Sequence, residues 1–169
     1  MYAFDSSQVE ISGGAIVHLF TTGNSQMHIF AGSIQGVLTA DGSSQVEIFG
    51  GSIGDFVMAW DSSQVDILGG SIGSDLVSTD LAILTVHGSD FVVDGVPCGY
   101  GELTSILGGD YRVESLRHLT GTLASGELIG SDFYIGHDAK IVLIPAPGAL
   151  VLASIGIGVI GSLRTRRAL

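Results

Sequence analysis

The sequence predicts an all-β protein: a parallel β-solenoid of about 19 residues per coil with a β-rich C-terminal cap, followed by a single C-terminal transmembrane helix. Three observations carry that expectation. Four segments superimpose: SSQVEISGGAI from Ser6, NSQMHIFAGSI from Asn24, SSQVEIFGGSI from Ser43 and SSQVDILGGSI from Ser62. Their glutamines, Gln8, Gln26, Gln45 and Gln64, fall 18, 19 and 19 residues apart, and a degenerate copy, ILTVHG from Ile83, continues the register by another 19. Within each copy apolar and polar residues alternate, and a glycine-containing corner follows. Self-similarity at a fixed period marks a stacked repeat. Strict alternation marks strands with one face inward.

The repeats occupy residues 5–88. Val9-Glu10-Ile11, Met27-His28-Ile29, Val46-Glu47-Ile48, Val65-Asp66-Ile67 and Leu84-Thr85-Val86 are the first strands of successive coils. After a Gly-Gly or Ala-Gly corner, Ile16, Ile34, Ile53 and Ile72 begin a second strand, and Thr-Gly-Asn, Asp-Gly-Ser and Asp-Ser-Ser close the coil. A leucine-rich repeat of similar length would need its own leucine and asparagine pattern, which is absent. Stacking places Val9, Met27, Val46, Val65 and Leu84 in one inward column and Ile11, Ile29, Ile48, Ile67 and Val86 in another. Each such aliphatic side chain contributes about 1.5–3 kcal/mol when buried. The glutamines are placed to ladder amide to amide, which fixes the register.

Composition limits the function. The chain is 169 residues long, 46% apolar, 14% charged, and carries 26 glycines and a net charge of −11. Its hydrophobicity argues against disorder, and its low charged fraction argues against an ordinary soluble enzyme. No lysine or arginine occurs before Arg112, so the repeats cannot neutralise phosphates and nucleic acid is excluded as their partner. Cys98 is the single cysteine and forms no internal disulfide; it reads as a small buried apolar residue. The N-terminus lacks the basic start and apolar core of a secretory signal, and an upstream export signal is expected to be missing from the chain.

One outward column, Glu10, His28, Glu47, Asp66 and Thr85, puts Glu47 and Asp66 on adjacent rungs. Like charges that close raise one carboxyl pKa or recruit a cation such as calcium. Asp41, Asp61 and Asp80 form a second acidic set at the coil-closing turn. The plainer reading of both is a solvated acidic face, so Glu47 and Asp66 are only candidate metal ligands and no cofactor is expected. The GGSIGSDLV stretch at 69–77 is faintly similar to a calcium-binding glycine nonapeptide but has one residue too many.

Residues 89–144 have a different texture. Glycines punctuate short β-prone runs, among them 91–93, 134–135 and 140–144, as suits a cap over the last rung. His118 and His137 share no metal-like spacing. Residues 145–169 form a tail. Pro145 and Pro147 stiffen an extended entry. Residues 148–163 are uncharged and mostly apolar, and Arg164, Arg166 and Arg167 follow. Sixteen residues span about 24 Å as a helix, a deficit against a bilayer of about 30 Å that snorkelling arginines can cover. The arginines place the extreme C-terminus in the cytoplasm and the rest outside.

This proline motif, apolar span and arginine cluster resemble the PEP-CTERM sorting domain of exopolysaccharide-producing Gram-negative bacteria, and the repeats resemble a β-solenoid architecture found among such proteins. The resemblance implies that an exosortase-type protease recognises the motif Pro145, Ala146, Pro147 and Gly148, removes the tail, and releases or anchors the mature protein at the cell surface. Ala146 replaces the glutamate usual between the prolines. The expected function is thus a non-enzymatic, exported structural or adhesive protein of the cell surface or extracellular matrix. It would be anchored in the inner membrane before processing, with exopolysaccharide or further copies of itself as partners. The alternative is a carbohydrate-binding or carbohydrate-active β-helix protein acting on exopolysaccharide, for which Glu47 and Asp66 would supply the paired carboxylates.

Overall fold

The computed structural model describes residues 1–103, 116–136 and 138–147. The chain enters at β1 (Tyr2–Ala3) and winds its first coil through β2 (Gln8–Ile16) and β3 (Leu19–Thr21). The second coil is β4 (Gln26–Ile34) and β5 (Leu38–Ala40). The third is β6 (Gln45–Ile48), β7 (Ser52–Ile53) and β8 (Val57–Ala59), and the fourth is β9 (Gln64–Ile67), β10 (Ser71–Ile72) and β11 (Leu76–Ser78). The fifth opens with β12 (Ile83–Val93).

Every coil-to-coil pairing is parallel, and apart from a shift at the first corner, between Ile11 and Ala15, the register is the one the repeats dictate. Val9 lies beside Met27, Met27 beside Val46, Val46 beside Val65 and Val65 beside Leu84. Ile29, Ile48, Ile67 and Val86 follow two residues on. From Met27 to Leu84 this column is essentially inaccessible to water, whereas Val9 on the first coil is half-buried. A second inward set, Leu19, Leu38, Val57 and Leu76, closes the core from the opposite face.

The corner glycines are explained by their backbone. Gly14, Gly32, Gly51 and Gly70 have φ of 86°, 108°, 91° and 92°, a conformation that costs a side chain but not glycine. The first coil is one residue short because two residues separate Ile16 from Leu19 where three separate Ile34 from Leu38. The imidazole of His18 takes up the slack: its Nδ1 accepts the N–H of Val37 at 3.2 Å.

From Gly88 the chain leaves the solenoid. The second half of β12 pairs antiparallel with β13 (Val96–Pro97) and with β15 (Arg117–Leu123), which forms a hairpin with β16 (Leu128–Ile135). The end of β16 then returns to lie parallel on β11, Phe133 beside Leu76 and Ile135 beside Ser78. Finally β17 (Lys140–Pro145) lies parallel on β12, with Ile141 beside Leu84 and Leu143 beside Val86. The segment 89–144 therefore holds two things: an antiparallel excursion, and the strands that close the fifth coil (the end of β16) and open a sixth (β17), which lengthen the two inward columns. The outer edge of β17 is covered by β14 (Gly101–Glu102), which pairs antiparallel with Leu143 and Val142, and Lys140 Nζ meets Glu102 Oε2 at 3.1 Å.

Among the described residues no helix is long and apolar enough to cross a membrane. The expected transmembrane segment lies outside the described residues.

Candidate functional site

The outward side of the long ladder β2, β4, β6, β9 and β12 carries three parallel columns. The first is the glutamines: Gln8 Nε2 donates to Gln26 Oε1 at 3.1 Å, and Gln26 Nε2 to Gln45 Oε1 at 3.4 Å. That amide ladder is the one the repeat spacing predicts. The second column holds Glu10, His28, Glu47, Asp66 and Thr85, in register from coil to coil. The third, two residues further along the sequence of each coil, holds Ser12, Phe30, Phe49, Leu68 and His87, although in the β2–β4 ladder the register shifts after Ile11 and Ser12 pairs with Ala31.

Glu47 and Asp66 are indeed side by side across β6 and β9. Each, however, has an imidazole partner. His28 Nε2 lies 3.3 Å from Glu47 Oε2, and His87 Nε2 lies 2.9 Å from Asp66 Oδ1. His28 comes from the coil before Glu47 in the same column; His87 comes from the coil after Asp66 in the next column. Each carboxylate thus has an imidazole nitrogen within polar-contact distance as well as the other carboxylate beside it. Among the described residues no group of three or more His, Cys, Asp or Glu side chains is arranged to hold a metal ion. His118 pairs similarly with Asp132, Nδ1 to Oδ1 2.6 Å, at the excursion; His137 lies outside the described residues.

Beside this column two phenyl rings stack. Phe30 and Phe49 have centroids 5.0 Å apart and planes 8° from parallel, and His28 meets both edge-on at 6.3 and 6.4 Å. Sequence reasoning passed over these rings, although they share the 19-residue spacing of the glutamines four positions earlier. With Gln26, Gln45 and Gln64, the residues His28, Glu47 and Asp66 line a shallow groove of about 230 Å³.

The coil-closing turn shows like-charge coupling of the kind expected for Glu47 and Asp66. Asp61 and Asp80 occupy the same place in consecutive coils, with φ of 55° and 62°. Asp41 stands one residue before the equivalent Gly42 and accepts its N–H at 2.8 Å. The charge of Asp41 foremost, then loss of hydration, a hydrogen bond to Asp41 and the charge of Asp80 raise the Asp61 carboxyl above its ordinary value of 3.8. A carboxyl whose native pKa is raised binds its proton more tightly in the folded than in the unfolded chain. Stability is therefore lost as pH rises from 3.8 through the native value and stays lower above it. Asp61→Asn keeps a residue type that tolerates positive φ. It should raise the Tm at pH 7, with the gain vanishing when the melt is repeated below pH 3.8; a gain that persists in acid would exclude the charge explanation.

Cys98 is a half-buried thiol packed against the core, and burial raises its pKa, as befits an inert apolar role. Of the sorting motif, Pro145 ends β17, Ala146 N–H donates to Gly88 O at 3.2 Å, and Pro147 is exposed. Gly148, Arg164, Arg166 and Arg167 lie outside the described residues. The stretch at 69–77 forms the same corner, strand and turn as its counterpart one coil earlier.

Comparison with protein-family models, with curated proteins and with solved structures gave no match. The fold and the face define a class, an acidic parallel β-solenoid with an amide, imidazole–carboxylate and aromatic ladder.

Proposed function

We propose that this chain is a non-enzymatic structural or adhesive protein of the cell surface or extracellular matrix, exported and then sorted through a tail resembling the PEP-CTERM domain. The observation that supports it is the self-satisfied outward face. Glutamine bonds glutamine, imidazole meets carboxylate and phenyl stacks on phenyl, giving a rigid repetitive surface. A glycosidase instead needs two carboxyl groups free to face one substrate, one to donate a proton and one to attack or activate water. Glu47 and Asp66 each face a histidine. In the proposal an exosortase-type protease cuts near Pro147, which is exposed directly after the last rung; the apolar stretch 148–163 holds the precursor in the inner membrane, and Arg164, Arg166 and Arg167 stop it there. Calcium has no part in this reading.

Fractionation of cells making the full-length protein, with intact-mass analysis of its mature C-terminus, tests the sorting. We expect a surface or matrix fraction lacking the arginine tail; a cytosolic protein that keeps the tail refutes it. A panel of acidic polysaccharides tests the enzyme alternative. We expect no turnover, and turnover abolished by Glu47→Gln or Asp66→Asn would replace the structural reading.

A further inference from the structure

The Phe30–Phe49 stack is unfinished. Its 5.0 Å step matches the spacing of about 4.8 Å between hydrogen-bonded strands, so the stack runs along the solenoid axis. Beyond Phe49 the column continues with half-buried Leu68. On the first-coil side the ladder steps from Ile11 beside Ile29 to Ser12 beside Ala31, so Phe30 has no paired residue there, only the neighbouring Ser12 followed by Gly13 and Gly14. All three are exposed, and a Cβ built on either glycine would have no atom within 4 Å. Phe30 keeps 46% of its surface in water. Phe30 thus has no ring stacked on its first-coil side, where the glycine backbone leaves open space. Around it stand the Ser12 hydroxyl and the exposed Glu10 carboxylate, and the His28 imidazole lies beside Phe30.

We propose that this place binds one pyranose unit of a neutral glycan, with the following units running into the groove beside Gln26 and His28. A pyranose has an apolar C–H face to lie on the ring and equatorial hydroxyls to donate to Glu10 and exchange hydrogen bonds with Ser12. A flat aromatic ligand would cover the plate but strip water from Glu10 and Ser12 without replacing its hydrogen bonds. An anionic sugar would meet Glu10, Glu47 and a chain of net charge −11. Because the plate is fixed by the ladder, little ordering accompanies binding. The proposal deepens the adhesive reading and rests on it for its setting. Its test uses purified protein, so its failure is distinguishable from a failure of the sorting experiment.

The full-length chain in a zwitterionic detergent is titrated calorimetrically with neutral hexasaccharides of β-1,4-linked glucose, mannose and N-acetylglucosamine, and with a carboxylated hexasaccharide. At least one neutral oligomer is expected to bind more tightly than the carboxylated one. Phe30→Ala, which removes the plate, should weaken that binding at least fivefold. Ser12→Phe, which fills the open place with a third ring, should weaken it equally while the Tm holds or rises, separating loss of the site from loss of the fold. Failure of all three neutral oligomers, or binding untouched by Ser12→Phe, overturns the proposal. So does a dimer in sedimentation that dissociates in Phe30→Ala and ignores the sugars, since the plate would then seat a ring of a second copy.

Discussion

Truncating Leu84 to alanine should lower the unfolding free energy by about 2–5 kcal/mol, read as a drop in the urea midpoint with the slope m unchanged. Leu84 has no accessible surface and lies between Val65 on one coil and Ile141 on the next. Relaxation into the vacated space is restricted on both sides. The backbone ladders that join β9 to β12 and β12 to β17 hold the strands at a fixed spacing, so neighbouring side chains cannot close the void by moving as a layer. The same column supplies its own control. Val9 is half-buried, has a single stacking neighbour in Met27, and deletion of its methyl groups removes less surface already hidden from water. Val9→Ala should cost about 1 kcal/mol or less on the same arithmetic of roughly 0.8 kcal/mol per buried methylene. Equal costs at Val9 and Leu84 would mean that the stacked column is not what stabilises the coils.

That Val9 and Leu84 share one column was legible in the sequence, because it follows from counting rungs; that Leu84 is covered on its far side by Ile141 was not. Alternation and a fixed period specify which residues stack, and Val46 beside Val65 needs no further information. The sixth coil was hidden for physical reasons. Its opening strand, Lys140–Pro145, and the strand that closes the fifth coil, Phe133–Ile135, both come after the excursion, which separates them from the fifth coil's first strand. In β17 the outward residue between Ile141 and Leu143 is the apolar, half-buried Val142, so the alternation that marks the other coils disappears. Lys140 also stands where the earlier coils have glutamine, paired with Glu102 rather than laddered. On the outward face, Glu47 beside Asp66 was readable from the 19-residue step. The partner of Asp66 was not, since His87 lies 21 residues away, one coil on and one column across. A diagonal contact of that kind depends on side-chain reach, and periodicity contains no trace of it. Phe30 and Phe49 were within reach of the same counting and needed only to be read as a column.

Gly88→Ala should prove the most damaging of the glycine substitutions, costing about 1–3 kcal/mol or more by forcing an overpacked contact. Gly88 stands where the excursion leaves the solenoid, between Leu123 of β15 on one side and Pro145 of β17 on the other. A Cβ there would sit 2.1 Å from the carbonyl oxygen of Thr122 and 3.0 Å from the ring of Phe91. The carbonyl belongs to a paired strand and has no rotamer through which to retreat. The Gly88 backbone is itself held, its oxygen accepting from Ala146 and the neighbouring His87 oxygen from Ala124 at 2.8 Å. The excursion must therefore lift away from the rung, taking Phe91 and Leu123 out of the core. Gly130→Ala is the matched control: it lies in β16, meets nothing within 4 Å, and should be neutral or stabilising through the reduced freedom of the unfolded chain. Hydrogen exchange locates the damage. Coils of a solenoid contact only their neighbours, so amides of β15 should exchange faster in Gly88→Ala while those of β4 and β6 keep their protection. Uniform acceleration across β4, β6 and β15 would show instead that the excursion and the solenoid unfold as one unit.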